Sequence, residues 1–270
     1  MKLFLLILII FTLNLFSQNF PVKQSMMDAE ALLKRKDYKT AVILYDGIIE
    51  ADPKNAEAYF KRGTTLSFLK KDSLAILDFT NALLNSPDDM AFMYYNRGYS
   101  YVNLGKTELA ISDFSSAIKI QPGYVSALND RGIEYEKLGN YNSSLADFLL
   151  ASSLDSTNSM YSYHTGRIYE KMLKPEKALI YFTKSINSNP KLAEAFMHRG
   201  TIYAQMRKFE KAASDFKNLL NVQKENSHAM LKLGFCLISL DKKDEGCSWL
   251  DKSAKLGNQK AKELKDKICK

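Results

Sequence analysis

The sequence predicts an all-helical protein made of about seven copies of one antiparallel helix pair, and three observations predict it. Glycines recur on a fixed beat: Gly63, Gly98, Gly132, Gly166, Gly200 and Gly234 are separated by 35, 34, 34, 34 and 34 residues. Two further series keep that beat, a small one at Ala41, Ala75, Ala110, Ser144, Ala178, Ala212 and Gly246 and a large one at Tyr45, Phe79, Phe114, Phe148, Phe182, Phe216 and Leu250. Segments such as Ala56 to Leu69 and Asp72 to Asn85 place apolar residues at helical spacing and show no strand-like alternation. A period of this length marks a repeat architecture, in which each copy buries its apolar face against its neighbours.

The periodicity starts after a different kind of segment. Met1 and Lys2 lead into an apolar run of 14 residues, Leu3 to Phe16, broken only by Thr12 and Asn14 and followed by Ser17. As a helix the run is roughly 21 Å long, short of the ~30 Å hydrocarbon core of a bilayer. A charged start, a short apolar core and a small residue read as a cleaved secretory signal, residues 1–17, with the cut after Ser17. No cysteine follows the run, so a lipid-modified terminus is not indicated. No later stretch is long and apolar enough to span a membrane, and the mature chain is expected to be a soluble monomer.

The repeats are placed at 22–55, 56–90, 91–124, 125–158, 159–192, 193–226 and 227–257. Small residues on both helices let the backbones cross closely, and the aromatic four residues beyond the second small position fills the groove beside them. Pro53, Pro87, Pro122 and Pro190, with Ser156 in the remaining place, stop the second helix and turn the chain. Ala29 stands for the glycine in the first copy and Asn258 for the proline in the last, as terminal copies allow. Ala261, Leu264 and Ile268 then sit at helical spacing, so residues 258–270 are expected to form a capping helix over the last apolar face.

Charge repeats as well. Arg62, Arg97, Arg131 and Arg199 directly precede a glycine of the series, and the same four copies carry Asp78, Asp113, Asp147 and Asp215 directly before the aromatic. The fifth and seventh copies lack both members, reading Thr165 with Tyr181 and Leu233 with Trp249. Joint presence and joint loss imply structural ion pairs, Arg62 with Asp78, Arg97 with Asp113, Arg131 with Asp147 and Arg199 with Asp215, tying the two helices of a copy together.

These series resemble the tetratricopeptide repeat family, whose pattern of aromatic, Leu-Gly, Tyr, Ala, Phe and Pro over about 34 residues they match. The resemblance implies a right-handed superhelical solenoid whose first helices line a concave groove, where an extended peptide or a helix of another protein lies. Residues four, eight and eleven after each start should face that groove: Phe60, Thr64, Ser67, Tyr95, Tyr99, Asn129, Tyr163, Arg167, Met197 and Thr201. Tyrosine and phenylalanine there suit a protein partner, although the same rings could equally pack between copies. The family's two-carboxylate clamp is missing: Asn96 matches one asparagine, but no copy supplies the preceding Lys and Asn together. Recognition of an acidic chaperone C-terminus is therefore not expected.

Two smaller groups remain. Of three cysteines, Cys247 and Cys269 lie at similar heights about the turn at Gly257, and Cys236 and Cys247 about the turn near Asp241. The resemblance implies a Cys247–Cys269 disulfide, because the family position of Cys247 faces the next helix and that of Cys236 faces the preceding copy. His164 and His198 hold equal positions, and in the clamp arrangement they would approach Glu194 and His228, so that His198 could meet His228 and His164 could meet Glu194. Adjacent first helices lie about 10 Å apart, too far for all four to share one ion, and no metal or other cofactor is expected.

Composition narrows the function. The net charge of +8 is half explained by Asp251 to Lys270, with seven lysines against three acidic residues, and reads as a solvated helix face without a nucleic-acid motif. Phosphate loops, Cys-x-x-Cys, His-Glu-x-x-His and Gly-x-Ser-x-Gly are all lacking, and the repeats leave no room for a catalytic domain, so no enzyme is expected. The expected protein is an exported adaptor or assembly factor, periplasmic or extracellular, with association to a membrane-bound complex left open. A metal or small-ligand sensor using the His-bearing half is the alternative.

Overall fold

A computed structural model describes residues 21–86 and 90–269; the expected signal segment and Pro87 lie outside them. The described residues form fifteen α-helices and no strand. They are α1 (Val22–Lys34), α2 (Tyr38–Ala51), α3 (Ala56–Phe68), α4 (Asp72–Asn85), α5 (Ala91–Asn103), α6 (Thr107–Ile120), α7 (Val125–Lys137) and α8 (Tyr141–Leu154). After these come α9 (Ser159–Lys171), α10 (Pro175–Ser188), α11 (Ala193–Gln205), α12 (Phe209–Val222), α13 (Ser227–Ile238), α14 (Lys243–Lys255) and α15 (Gln259–Ile268). Two compact units divide between Glu134 and Tyr135, within α7. In the first, α1 packs on α2, α2 on α3, and so on to α6; in the second, α8 to α15 pack in the same succession. The odd-numbered helices from α1 to α13 open the repeats and are called first helices below.

The ends of these helices explain their lengths. Asn55, Asn158, Asn226 and Asn258 cap first helices or the final helix, each side-chain oxygen accepting a backbone N–H two or three residues on, at 2.9 to 3.2 Å. Each first helix stops at a residue in the left-handed region: Lys36, Lys70, Gly105, Gly139, Leu173, Arg207 and Asp241 have φ between 57° and 71°. The residues before Pro53, Pro122 and Pro190 accept from an N–H three residues on (Asp52 from Asn55, Gln121 from Tyr124, Asn189 from Leu192), which puts each proline second in a turn where its fixed φ is already correct.

The close crossing expected from the small residues is present. A Cβ added to Gly166 would lie 2.8 Å from the Phe182 ring. In the last pair a Cβ on Gly234 would lie 2.9 Å from the Gly246 carbonyl oxygen, so backbone meets backbone there. Tyr45, Phe79, Phe114, Phe148, Phe182, Phe216 and Leu250 are all fully buried, each ring contributing about 2–3 kcal/mol of apolar burial. Tyr45 carries a hydroxyl that the others lack; it finds no partner among the described residues, and burial pushes its pKa up to about 12.

Cys247 and Cys269 form a disulfide joining α14 to the residue after α15. Ala261 of α15 is fully buried, and Lys265 reaches back to Asp251 of α14 at 2.7 Å. Cys236 is a free, buried thiol whose pKa burial raises to about 11. No helix of the described residues is long and apolar enough to cross a membrane.

Candidate partner-binding surface

Three of the four arginines that precede a glycine of the series do more than pair within their repeat. Arg97 donates Nε and Nη2 to the two carboxylate oxygens of Asp113, both at 2.8 Å, and its Nη1 to Thr80 Oγ1 of the preceding repeat at 3.1 Å. Arg199 holds Asp215 at 2.9 and 2.6 Å and Thr183 at 3.0 Å. Arg62 holds Asp78 at 2.8 and 2.7 Å and Asp46 at 2.7 Å. Arg131 donates to Ser115 at 2.9 Å, and Asp147 lies buried in the second unit. Its hydrogen bonds to the Asp78 carboxylate hold the Arg62 guanidinium well above its ordinary pKa despite burial.

The third partner was not anticipated, but the sequence carried its signal. Asp46, Thr80, Ser115 and Thr183 each follow the aromatic of the repeat before an arginine, whereas Leu149 and Lys217 precede the repeats with Thr165 and Leu233. These clusters fix how one first helix sits against the second helix before it. They therefore set the surface that the first helices present.

In the first unit most expected groove residues are engaged in packing. Phe60 meets Phe92 edge-on at 4.6 Å and Phe79 at 5.8 Å. Tyr95 lies against Tyr124 at 5.0 Å and Phe114 at 5.7 Å, and its hydroxyl donates to Asp130 at 2.9 Å. Burial, reinforced by Asp130, pushes the Tyr95 hydroxyl pKa far up. Asn129 also donates to Asp130, at 3.0 Å, while its own side-chain oxygen is buried with no donor among the described residues. Thr64 is turned onto the Phe60 carbonyl at 2.9 Å, and Ser67 meets the Ser100 hydroxyl at 2.9 Å. Tyr99 stands out, with 48% of its surface exposed.

In the second unit Tyr163 departs from expectation. Only 8% exposed, it packs against Phe182, His164 and His198 and is covered by the Arg167 guanidinium at 5.8 Å, so it is a core residue and not open contact surface. Arg167 is anchored by Glu136 at 2.6 Å. Met197 lies partly buried on the core, and Thr201 donates to its carbonyl at 2.7 Å. Phe235, which occupies the repeat position of Tyr99, is 46% exposed and was not anticipated as a contact residue.

The histidines also find other neighbours than expected. His198 pairs with Glu170, Nδ1 to Oε2 at 2.7 Å, and stacks on Phe182 at 5.3 Å. His164 stacks on Phe148 at 4.9 Å, and burial lowers its pKa to about 4. His228 sits on α13 beside a separate recess of about 440 Å³ with Leu231, Lys232 and Leu256. The expected meetings of His198 with His228 and of His164 with Glu194 give way to these contacts, because the His164 and His198 rings are held against Phe148 and Phe182. Among the described residues no three His, Cys, Asp or Glu side chains are grouped to hold a metal ion. Glu194, Met197 and His198 instead line a recess of about 200 Å³ with Leu219 and Asn226.

Residues 91–124 and 193–226 each match a tetratricopeptide repeat model. Those two stretches are tetratricopeptide repeats by that match. The solved C-terminal part of a TPR repeat-containing protein from Cytophaga hutchinsonii superposes with a TM-score of 0.77 at 16% identity, covering 88% of this chain and 98% of that one. A tetratricopeptide repeat protein from Parabacteroides merdae gives a TM-score of 0.65 at 19% identity, covering 92% and 99%. YrrB, described as a TPR protein with an unusual peptide-binding site, gives 0.57 at 23% identity, covering 62% and 86%. These likenesses show the fold of successive helix pairs. No curated protein matches the sequence.

Proposed function

We propose that the protein is an exported interaction module that binds a peptide or helix of a partner protein along the first helices of its repeats, as an adaptor or assembly factor. One observation carries the reading: Tyr99 in the first unit and Phe235 in the second, at the same repeat position, each leave about half of their surface open, whereas Phe60, Tyr95 and Tyr163 are engaged in packing. Rings mounted on packed helices offer contact area at little ordering cost, so most of the entropy loss on binding falls on the partner. A peptide-binding site named for a protein of similar fold, YrrB, agrees with such a use. Export is supported by the leader-like pattern of residues 1–17 and by the Cys247–Cys269 disulfide, a bond that persists in oxidising compartments.

In-cell photo-crosslinking from positions 99 and 235 tests the surface, with position 43, an exposed isoleucine on α2, as the control. One specific partner captured from 99 or 235 and not from 43 supports the reading; equal capture from all three ends it. Tyr99→Ala should lower capture without lowering the melting temperature, since the ring is half exposed. Fractionation with N-terminal sequencing tests export, a mature chain beginning at Gln18 being the expected result.

A further inference from the structure

The ion-pair cluster that fastens one repeat to the next is replaced at the last junction. Where four of the other repeats have Arg, Asp and a polar acceptor, this junction has Leu233, Trp249 and Lys217. Leu233 is fully buried and extends the core. With no guanidinium to meet, Lys217 turns to Glu245 at 3.0 Å, and Trp249 lies partly buried at the core's edge. Beside them opens a recess of about 600 Å³. Its floor is Leu220 of α12 and Met230 of α13, each 7% exposed, and its walls are Trp249, Lys217, Lys224 and Lys252. None of the residues assigned above to the first-helix surface lines it.

We propose that this recess is a second docking site, which takes an acidic peptide segment of a partner protein with an aliphatic side chain between its carboxylates. The apolar floor accepts the aliphatic group. Lys224 and Lys252 are exposed and pair with no carboxylate among the described residues, so both are available to carboxylates of the segment. Asn221, also on the lining, presents an amide that can both donate to and accept from a peptide backbone. The Lys252 ammonium stands 4.2 Å from the centre of the Trp249 ring. It thereby occupies the face that a nucleobase would stack on, while itself remaining reachable by a carboxylate.

Trp249 is the chain's single tryptophan, so its emission reports on this recess alone. The test titrates the full chain with a short end-capped peptide of alternating glutamate and leucine, with the same peptide carrying glutamine for glutamate, and with phosphatidylglycerol vesicles. The expected result is a saturable change in emission with the glutamate peptide only. It should weaken about tenfold or more in Lys224→Glu/Lys252→Glu and on raising the salt, and be untouched by Tyr99→Ala. Should the charge-reversed variant melt early, Lys224→Gln/Lys252→Gln replaces it with the same expected direction. No saturable change, an equal response to the glutamine peptide, an unaltered response in the folded variant, or a response to vesicles alone would each overturn the proposal.

Discussion

Tyr45 is the one ring in its series of fully buried aromatics to carry a hydroxyl, and that oxygen is sealed in without a partner among the described residues. A buried polar group left unpaired costs about 1–3 kcal/mol, so Tyr45→Phe should stabilise the protein by about 1 kcal/mol, read as a higher urea midpoint at unchanged slope. His164 presents the titratable counterpart. Burial, with Arg167 adding to it, lowers the imidazole pKa from 6.5 to about 4, so between those values the unfolded chain binds a proton that the folded one refuses. Stability should therefore be complete above pH 6.5 and be lost as the pH falls through that window, by about 3 kcal/mol. His164→Phe, which keeps a ring against Phe148, should flatten this dependence when urea midpoints are compared across the window. A slope that survives the substitution would assign it to other groups.

At the scale of the helix pair, both the turn and the ion pair carry testable costs. Leu173 ends α9 with φ of 57° and is 87% exposed, so its side chain gains no burial in return for a conformation that suits glycine. Leu173→Gly should raise stability by about 1 kcal/mol, while Gly105→Ala at the equivalent turn should lower it by a similar amount. Arg97→Ala strands Asp113, which is 4% exposed, and should cost about 3 kcal/mol; Arg97→Leu/Asp113→Leu should recover more than half of that. The helix pairs themselves were legible because packing imposes the period: Gly166 must be small where Phe182 crosses it, whatever lies at the surface. The open surface was less legible. Tyr163 and Tyr99 look alike in sequence, yet only the first has His164, His198 and Arg167 around it to bury it. Pairs such as His198 with Glu170 join different helices, and the period alone does not say which side chains on facing helices will touch.

Within each unit, packing runs between helices adjacent in sequence, joined by the neighbouring first helices α3 with α5 in the first and α11 with α13 in the second. Contacts of this range make stability a sum over neighbours, so a perturbation should be felt near where it is made. The C-terminal end gives the clearest case. Helix α15 has only ten residues and is rich in lysine, too short to persist unaided in water, and it is held to α14 by Ala261, by the Asp251–Lys265 contact and by the disulfide. Breaking a cross-link between cysteines 22 residues apart should remove about 3 kcal/mol, and the nearest free thiol, Cys236, is too deeply buried and too weakly acidic to exchange into it. Under reduction, or in Cys269→Ser, amide exchange should accelerate in α15 and in the last turns of α14, while α1 to α5 keep their protection. If α1 to α5 lost protection to the same degree, the repeats would be unfolding as one cooperative block, and the neighbour-limited account would have to be abandoned.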